Sequence, residues 1–310
     1  MRNFENLSAW ARHVRKNGVY YLFILPVVAG VLIFHFGPMI ASLVFSLTKY
    51  DVVTPPKFIG LRNYVRLFQD AKWLRSLLNT FYYVGVGLPL RILIALTAAI
   101  LLNQRVRAIG VFRTIYYLPS VTAGVAISLL WQLIYEAKFG LINSLLGAVG
   151  IRGPAWLGDP LWSMPAIILM MSFNIGQSML IFLGGLQTIP DQLYEAVDLD
   201  GGGIRHKFTA VMLPHLTPVL FFNIVITLIQ MMQMFTQVYV MSSNGTGGPL
   251  DSLLVYVLYL YHNAFQWLKM GYASAMAWVL FVILLTMTII QFRLSGRWVY
   301  YKSGAQEKRK

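Results

Sequence analysis

Long apolar runs separated by short polar segments dominate the chain. They cover about Val19–Leu47, Thr80–Leu102, Phe112–Ile134, Leu161–Leu186, Leu213–Val240 and Tyr272–Phe292. Each supplies the 20 or so apolar residues that a helix needs to cross a hydrocarbon core about 30 Å thick. The pattern predicts an all-α integral membrane bundle of about six transmembrane helices. Pro26, Pro38, Pro89, Pro119 and Pro165 fall within or at the ends of these runs. Membrane helices tolerate that placement when neighbours satisfy the freed carbonyls. The first run is too long for a signal-peptide core and lacks a small-x-small cleavage site, so it reads as an uncleaved span.

The flanks divide the chain into an N-terminal segment 1–18, a transmembrane domain 19–292 and a basic tail 293–310. In the first of these, Leu7, Trp10, Ala11 and Val14 recur at helical spacing opposite Arg12, Arg15 and Lys16. The segment is either an amphipathic helix lying on an anionic leaflet or an unstructured basic tail. Residues 252–268 are apolar and aromatic but interrupted by His262, Asn263 and Gln266. They are expected to form an interfacial helix rather than a seventh span.

Composition agrees with a bilayer and narrows the function. Hydrophobic residues make up 57% of the chain and charged residues only 12%, too few to cover the surface of a soluble domain of this length. The net charge of +14 comes from Lys and Arg placed between and beyond the runs, where they fix topology. Their distribution favours both termini on the cytoplasmic side, against the pull of a basic first outer loop at about 48–79. Their partner is membrane lipid, and no basic, aromatic-interleaved patch suggests nucleic acid.

The absence of cysteine excludes disulfides and thiolate metal sites. The five histidines are scattered, so no catalytic or metal site is expected and the chain does not read as an enzyme. His35 and His215 read as polar groups at helix ends. The spans hold no Asp or Glu, which argues against a proton-coupled secondary transporter.

One polar interruption stands out, the loop 187–214. Thr188-Ile189-Pro190-Asp191 resembles a helix start with a hydroxyl cap, a proline in the first turn and an acid at the positive dipole end. The helix continues through Leu193, Tyr194, Ala196 and Val197, and Asp200-Gly201-Gly202-Gly203 stops it. A second short helix is expected over Ile204–Met212, with Ile204, Phe208, Val211 and Met212 as its apolar stripe, before Leu213-Pro214 opens the next span. Ordinary connections have a median of about 4–6 residues, so a loop this long with internal structure points to function.

Glu195-Ala196-x-x-x-Asp200-Gly201, followed by Phe208, Val211, Leu213, Pro214 and Pro218, resembles the EAA loop of ABC importer permeases. Further segments are similar to the sugar-type branch of that family. They are Phe58-Ile59-Gly60-Leu61-x-Asn63-Tyr64, Asn79-Thr80 before the second span, Gly247-Gly248-Pro249, and Gly271-Tyr272-Ala273-Ser274-Ala275. Together they cover nearly the whole chain, most like the maltose, lactose and glycerol-3-phosphate permease subunits. The loop departs from the family pattern at Val197, at Asp198 and in its triple glycine.

The resemblance implies a multi-pass permease subunit of the prokaryotic cell (inner) membrane, driven by ATP and served by a binding protein. Its implied cargo is a sugar or oligosaccharide, with glycerol 3-phosphate or another polyol ester as the alternative. A second related permease, a homodimeric cytoplasmic ATPase and an extracytoplasmic substrate-binding protein are the implied partners. ATP and Mg would be held by the ATPase, with no cofactor on this chain, which has no G-x-x-x-x-G-K-[ST] loop. Glu195 would pair with a basic group on the ATPase, Ala196 and Gly201 would allow close approach, and Phe208 and Leu213 would anchor the loop. Asp200 and Pro214 complete the motif.

Polar side chains within the spans mark a candidate substrate pathway: Asn174 and Gln177 in span four, with Asn223, Thr227, Gln230, Gln233 and Gln237 in span five. Neutral amides in lipid either bond neighbouring helices or line a wet path, and both readings stand. An amide both donates and accepts, which suits a polyhydroxyl ligand. Arg91, the strongly basic residue deepest in a span, is expected to snorkel toward the interface rather than to meet a ligand.

Overall fold

The computed structural model describes residues 20–104 and 107–300, so the expected amphipathic segment 1–18 lies outside the described residues. Four helices are each long and apolar enough to cross a membrane: α1 (Tyr20–Ser46), α3 (Ala71–Leu102), α10 (Ile204–Met232) and α13 (Met270–Ser295). Two helix pairs pass the same test jointly. α4 (Ile109–Val121) and α5 (Gly124–Ile134) are bent by 100°, and α7 (Pro160–Ser172) and α8 (Gly176–Gln187) by 44°. Counting each pair as one crossing gives six. The expected third and fourth spans are therefore broken rods, interrupted at Thr122-Ala123 and at Phe173–Ile175.

Among the described residues, 20–67 and 263–278 make one compact unit, and 68–262 with 279–300 another. In the first, α1 widens by one loose turn at Leu32–Phe36 and ends at Ser46. A two-residue antiparallel ladder follows, β1 (Thr48–Lys49) against β2 (Lys57–Phe58), and then α2 (Arg62–Phe68). Asn63 is the clamp here: its Nδ2 donates to the carbonyls of Ser46 and Thr48 at 2.8 and 2.9 Å. Tyr64 Oη donates to Ser46 Oγ at 2.8 Å. At the start of α13, a Cβ on Gly271 would stand 2.1 Å from the Thr48 carbonyl oxygen, so only glycine fits. The Gly271 N–H donates to the Tyr50 carbonyl at 3.0 Å.

The second unit is organised around α3. Asp70 caps it, its Oδ1 accepting the N–H groups of Lys72 at 2.9 Å and Trp73 at 3.3 Å. The helix thus begins nine residues before the apolar run does, and Asn79-Thr80 lies inside it rather than ahead of it. Small residues at Ala95, Ala98 and Ala99 let α8 and α10 approach closely, and Met179, Phe182, Leu186, Val211 and Leu216 complete that core.

Higher on α3, Asn79 Nδ2 donates to the carbonyls of Asp251 and Leu254 at 2.8 and 3.0 Å. Thr80 Oγ1 accepts the Tyr256 N–H at 2.9 Å. These bonds hold α12 (Tyr256–Tyr261), where Tyr256, Leu258 and Tyr259 are buried. Of the segment 252–268 expected at the interface, residues 252–264 are thus mostly buried, while 265–268 are exposed. α6 (Leu141–Ala148) and α11 (Thr236–Met241) are short connectors.

The last helix runs to Ser295, and the chain beyond it stays attached. Phe221 stacks edge-on against both Phe292 and Trp298, and the Tyr300 N–H donates to Thr217 Oγ1 at 2.9 Å. Trp298 and Tyr300, expected to belong to a tail, thus contact α10. His35 and His215 both lie within continuous helices, not at their ends.

Candidate functional site: coupling loop and amide cleft

The loop 187–214 folds as helix, turn and helix. α9 (Asp191–Leu199) starts at Pro190 without a side-chain cap. Thr188 does not cap it. Its hydroxyl turns back to the Gly185 carbonyl at 2.7 Å and closes the end of α8 instead. One face of α9 carries Leu193, Tyr194 and Val197, which pack on the α3–α8–α10 core. Burial, with Asp191 beside it, pushes the Tyr194 phenol above its usual range, so it stays neutral. The other face leaves Glu195, Ala196 and Asp200 exposed.

Gly201 makes the turn at φ +74°, a left-handed conformation that side chains with a Cβ resist. The Gly202 N–H donates to the Val197 carbonyl at 2.8 Å, closing α9 in a Schellman-like manner. Two large apolar residues flank the turn in solvent: Leu199 is 89% exposed and Ile204 85%. Ile204 was expected on a packed stripe, yet it points away from the core. Of that stripe, Val211 is buried and Phe208 and Met212 are half-buried.

No separate second helix exists. Ile204 to Met232 is one helix, with a wide turn at Lys207–Met212 absorbing Leu213-Pro214 without a break. Leu213 and Pro214 are both half-buried.

Within the same unit, a cleft of about 300 Å³ opens where α10 ends and α11 begins. Asn174, Gln177, Gln230, Gln233 and Gln237 all line it, together with Ser120, Thr236, Tyr83 and Arg91. Asn223 and Thr227 are not in it. Asn223, 1% exposed, donates from Nδ2 to the Ser178 carbonyl at 3.3 Å and so joins α10 to α8. Five of the amides thus line the cleft, and Asn223 ties two helices together.

Arg91 departs from expectation: it is 7% exposed and faces this cleft instead of snorkelling to the interface. Its role was hidden because a single sequence does not show which side of a helix faces inward. A second cavity of about 590 Å³ lies near the ends of α5 and α11, lined in part by Gln132, Tyr135, Glu136 and Trp156. Its aromatic lining escaped the sequence reading, which had no periodic signal to follow there.

A solvent-exposed glycine elbow on a membrane-crossing chain, with a polar cleft among its spans, matches what was expected of a transport permease subunit. The chain belongs to the family of binding-protein-dependent transport system inner membrane components, whose model matches residues 68–300. It is 44% identical over 297 residues to the probable ABC transporter permease protein YesP of Bacillus subtilis (strain 168), covering 94% of this chain and 96% of that protein. It is 34% identical to the lactose transport system permease protein LacF of Rhizobium radiobacter, covering 92% of this chain and 96% of that protein. In fold it matches a chain in the crystal structure of a bacterial ABC transporter involved in alginate import. That match has a TM-score of 0.80 at 23% identity and covers 93% of this chain and 99% of the other.

Proposed function

We propose that this chain is one of two related permease subunits of an ATP-driven importer for a sugar or oligosaccharide. The observation that carries the reading is the elbow at Gly201, with Leu199 and Ile204 almost fully in solvent while Leu193, Tyr194 and Val197 are seated on the core. Apolar side chains of that size, held in water by a closed turn, suit a groove on another protein.

In this reading α9 enters a groove on a homodimeric cytoplasmic ATPase, where Glu195 meets a basic group and Ala196 admits close contact. Phe208 and Leu213 tether the loop, Asp200 and Gly201 form its bend, and Pro214 lies in the helix that carries motion onward. ATP and Mg are bound by the ATPase, not by this chain. Both termini then lie in the cytoplasm, and a substrate-binding protein docks from the other side.

The cargo assignment rests on relatives such as LacF, a lactose transport system permease protein. The cleft chemistry agrees, since its amides can donate and accept toward hydroxyl groups. Among the lining residues Asn174, Gln177, Gln230, Gln233 and Gln237 would contact solute, whereas Asn223 and Thr227 would brace the helices around it.

The test is affinity capture of the tagged chain from its native membrane in mild detergent. The expected result is recovery of an ATPase subunit and a second permease, with ATP hydrolysis stimulated by a loaded binding protein. Uptake of solute into liposomes by the purified chain with no ATPase present would overturn the proposal.

A further inference from the structure

Two polar groups in the cleft lack partners. Tyr83 and Arg91 stand eight residues apart on α3 and so share one face of it. Tyr83 is 1% exposed and Arg91 7%, and neither Tyr83 Oη nor Arg91 Nε has a hydrogen-bond partner among the described residues. No carboxylate among the described residues pairs with Arg91, and no Asp or Glu lines the cleft. A guanidinium cannot escape by losing its proton, and leaving one buried without an anion is costly. Ionisable residues kept inside a membrane domain commonly mark the path of a ligand.

We infer that the cleft receives an acidic saccharide, a uronide whose carboxylate is taken by Arg91 while the amides and Tyr83 address its hydroxyl groups. The inference rests on the importer reading and names its substrate class. A planar guanidinium fork matches one carboxylate in two parallel hydrogen bonds. A phosphate ester carries close to two negative charges at neutral pH and calls for more than one cation. Arg91 is the only cationic side chain in the lining.

The chain has no cysteine, so Thr236→Cys gives it a single thiol at the cleft. The complete importer carrying this change is placed in lipid nanodiscs without nucleotide or binding protein. Maleimide labelling of this chain is then timed with digalacturonate, neutral digalactose or glycerol 3-phosphate present.

Digalacturonate is expected to slow labelling at lower concentration than digalactose. Arg91→Gln should raise its half-protecting concentration about 10- to 100-fold, as for loss of a hydrogen bond to a charged group, and leave that of digalactose unchanged. Arg91→Lys should keep the preference for the acid. Equal protection by acidic and neutral sugars in the parent chain overturns the inference, even if Arg91→Gln fails to assemble. So does an equal loss for both sugars in Arg91→Gln, or stronger protection by glycerol 3-phosphate. Labelling needs no ATP, so failure here is separate from failure of the importer reading, which ATP hydrolysis by the same preparation reports.

Discussion

Lys207 Nζ lies 2.7 Å from Oδ2 of Asp198, bridging the two arms of the coupling loop across the glycine turn. Asp198 is one of the loop's departures from the family pattern, and its charge is answered within the loop instead of being offered outward. Both partners are substantially solvated, so screening discounts the pair heavily. Asp198→Asn is expected to change thermal stability by no more than about 0.5–1 kcal/mol. Unchanged ATP-driven uptake, together with an unchanged melting curve, is the result that supports this.

Glu195→Ala and Gly201→Asp are expected to act differently. Glu195 is exposed, and Gly201 holds φ +74°. Both variants should reach the membrane at near-normal level, with uptake reduced at least tenfold relative to ATP hydrolysis. Parallel assays of uptake and hydrolysis in proteoliposomes check this, and normal transport by either variant would remove the docking role from α9.

Asn79→Ala should destabilise the chain by about 1–3 kcal/mol, because it strands the Asp251 and Leu254 carbonyls in a part-buried setting. Proteolysis between 245 and 262 should quicken in parallel. Melting of the detergent-solubilised protein with and without the substitution gives the number.

Gly271→Ala is expected to be more damaging than its chemistry suggests. The added methyl group would overlap the Thr48 carbonyl, and neither backbone can yield without loosening the clamp made by Asn63. A loss of about 1–3 kcal/mol follows from overpacking of this kind. The free space around Gly147 makes Gly147→Ala the control, with little change expected.

The amides should separate by role. Gln233→Ala, at an exposed cleft position, is expected to raise the KM for transported solute with little change in melting temperature. Asn223→Ala should lower stability by about 1 kcal/mol and leave solute preference alone, since its bond runs to the Ser178 backbone. Uptake kinetics set beside thermal unfolding distinguish the two, and an inverted pattern would move the solute path elsewhere.

Much of this was legible in the sequence, and the reasons are specific. Apolar length placed α1 and α13 within about three residues of their ends, because burial in lipid depends on the run itself and not on its partners, whereas α10 begins nine residues before the run expected for it and ends eight before that run does. Polar length missed the first turns of α3, where Lys72, Arg75 and Asn79 look like loop residues until the Asp70 cap is seen. The bends at Thr122-Ala123 and Phe173–Ile175 were not placed, although Pro119 and Gly124 flank the first and Asn174 and Gly176 lie at the second, because membrane helices also carry such residues without breaking. Gly201 was legible because a turn of that hand selects its residue. Thr188 was misread because two helix ends compete for one hydroxyl, and only geometry decides between them.

The unbroken course of α10 has a mechanical consequence. Ile204 and Gln230 belong to one rod, and at about 1.5 Å per residue they stand about 39 Å apart along its axis. In the importer we propose, the end pressed by the motor and the end that borders the cargo are the same piece of backbone. Stroke and gate then need no relay between them. Inserting residues within α10 should disturb their timing even where it leaves both ends chemically intact.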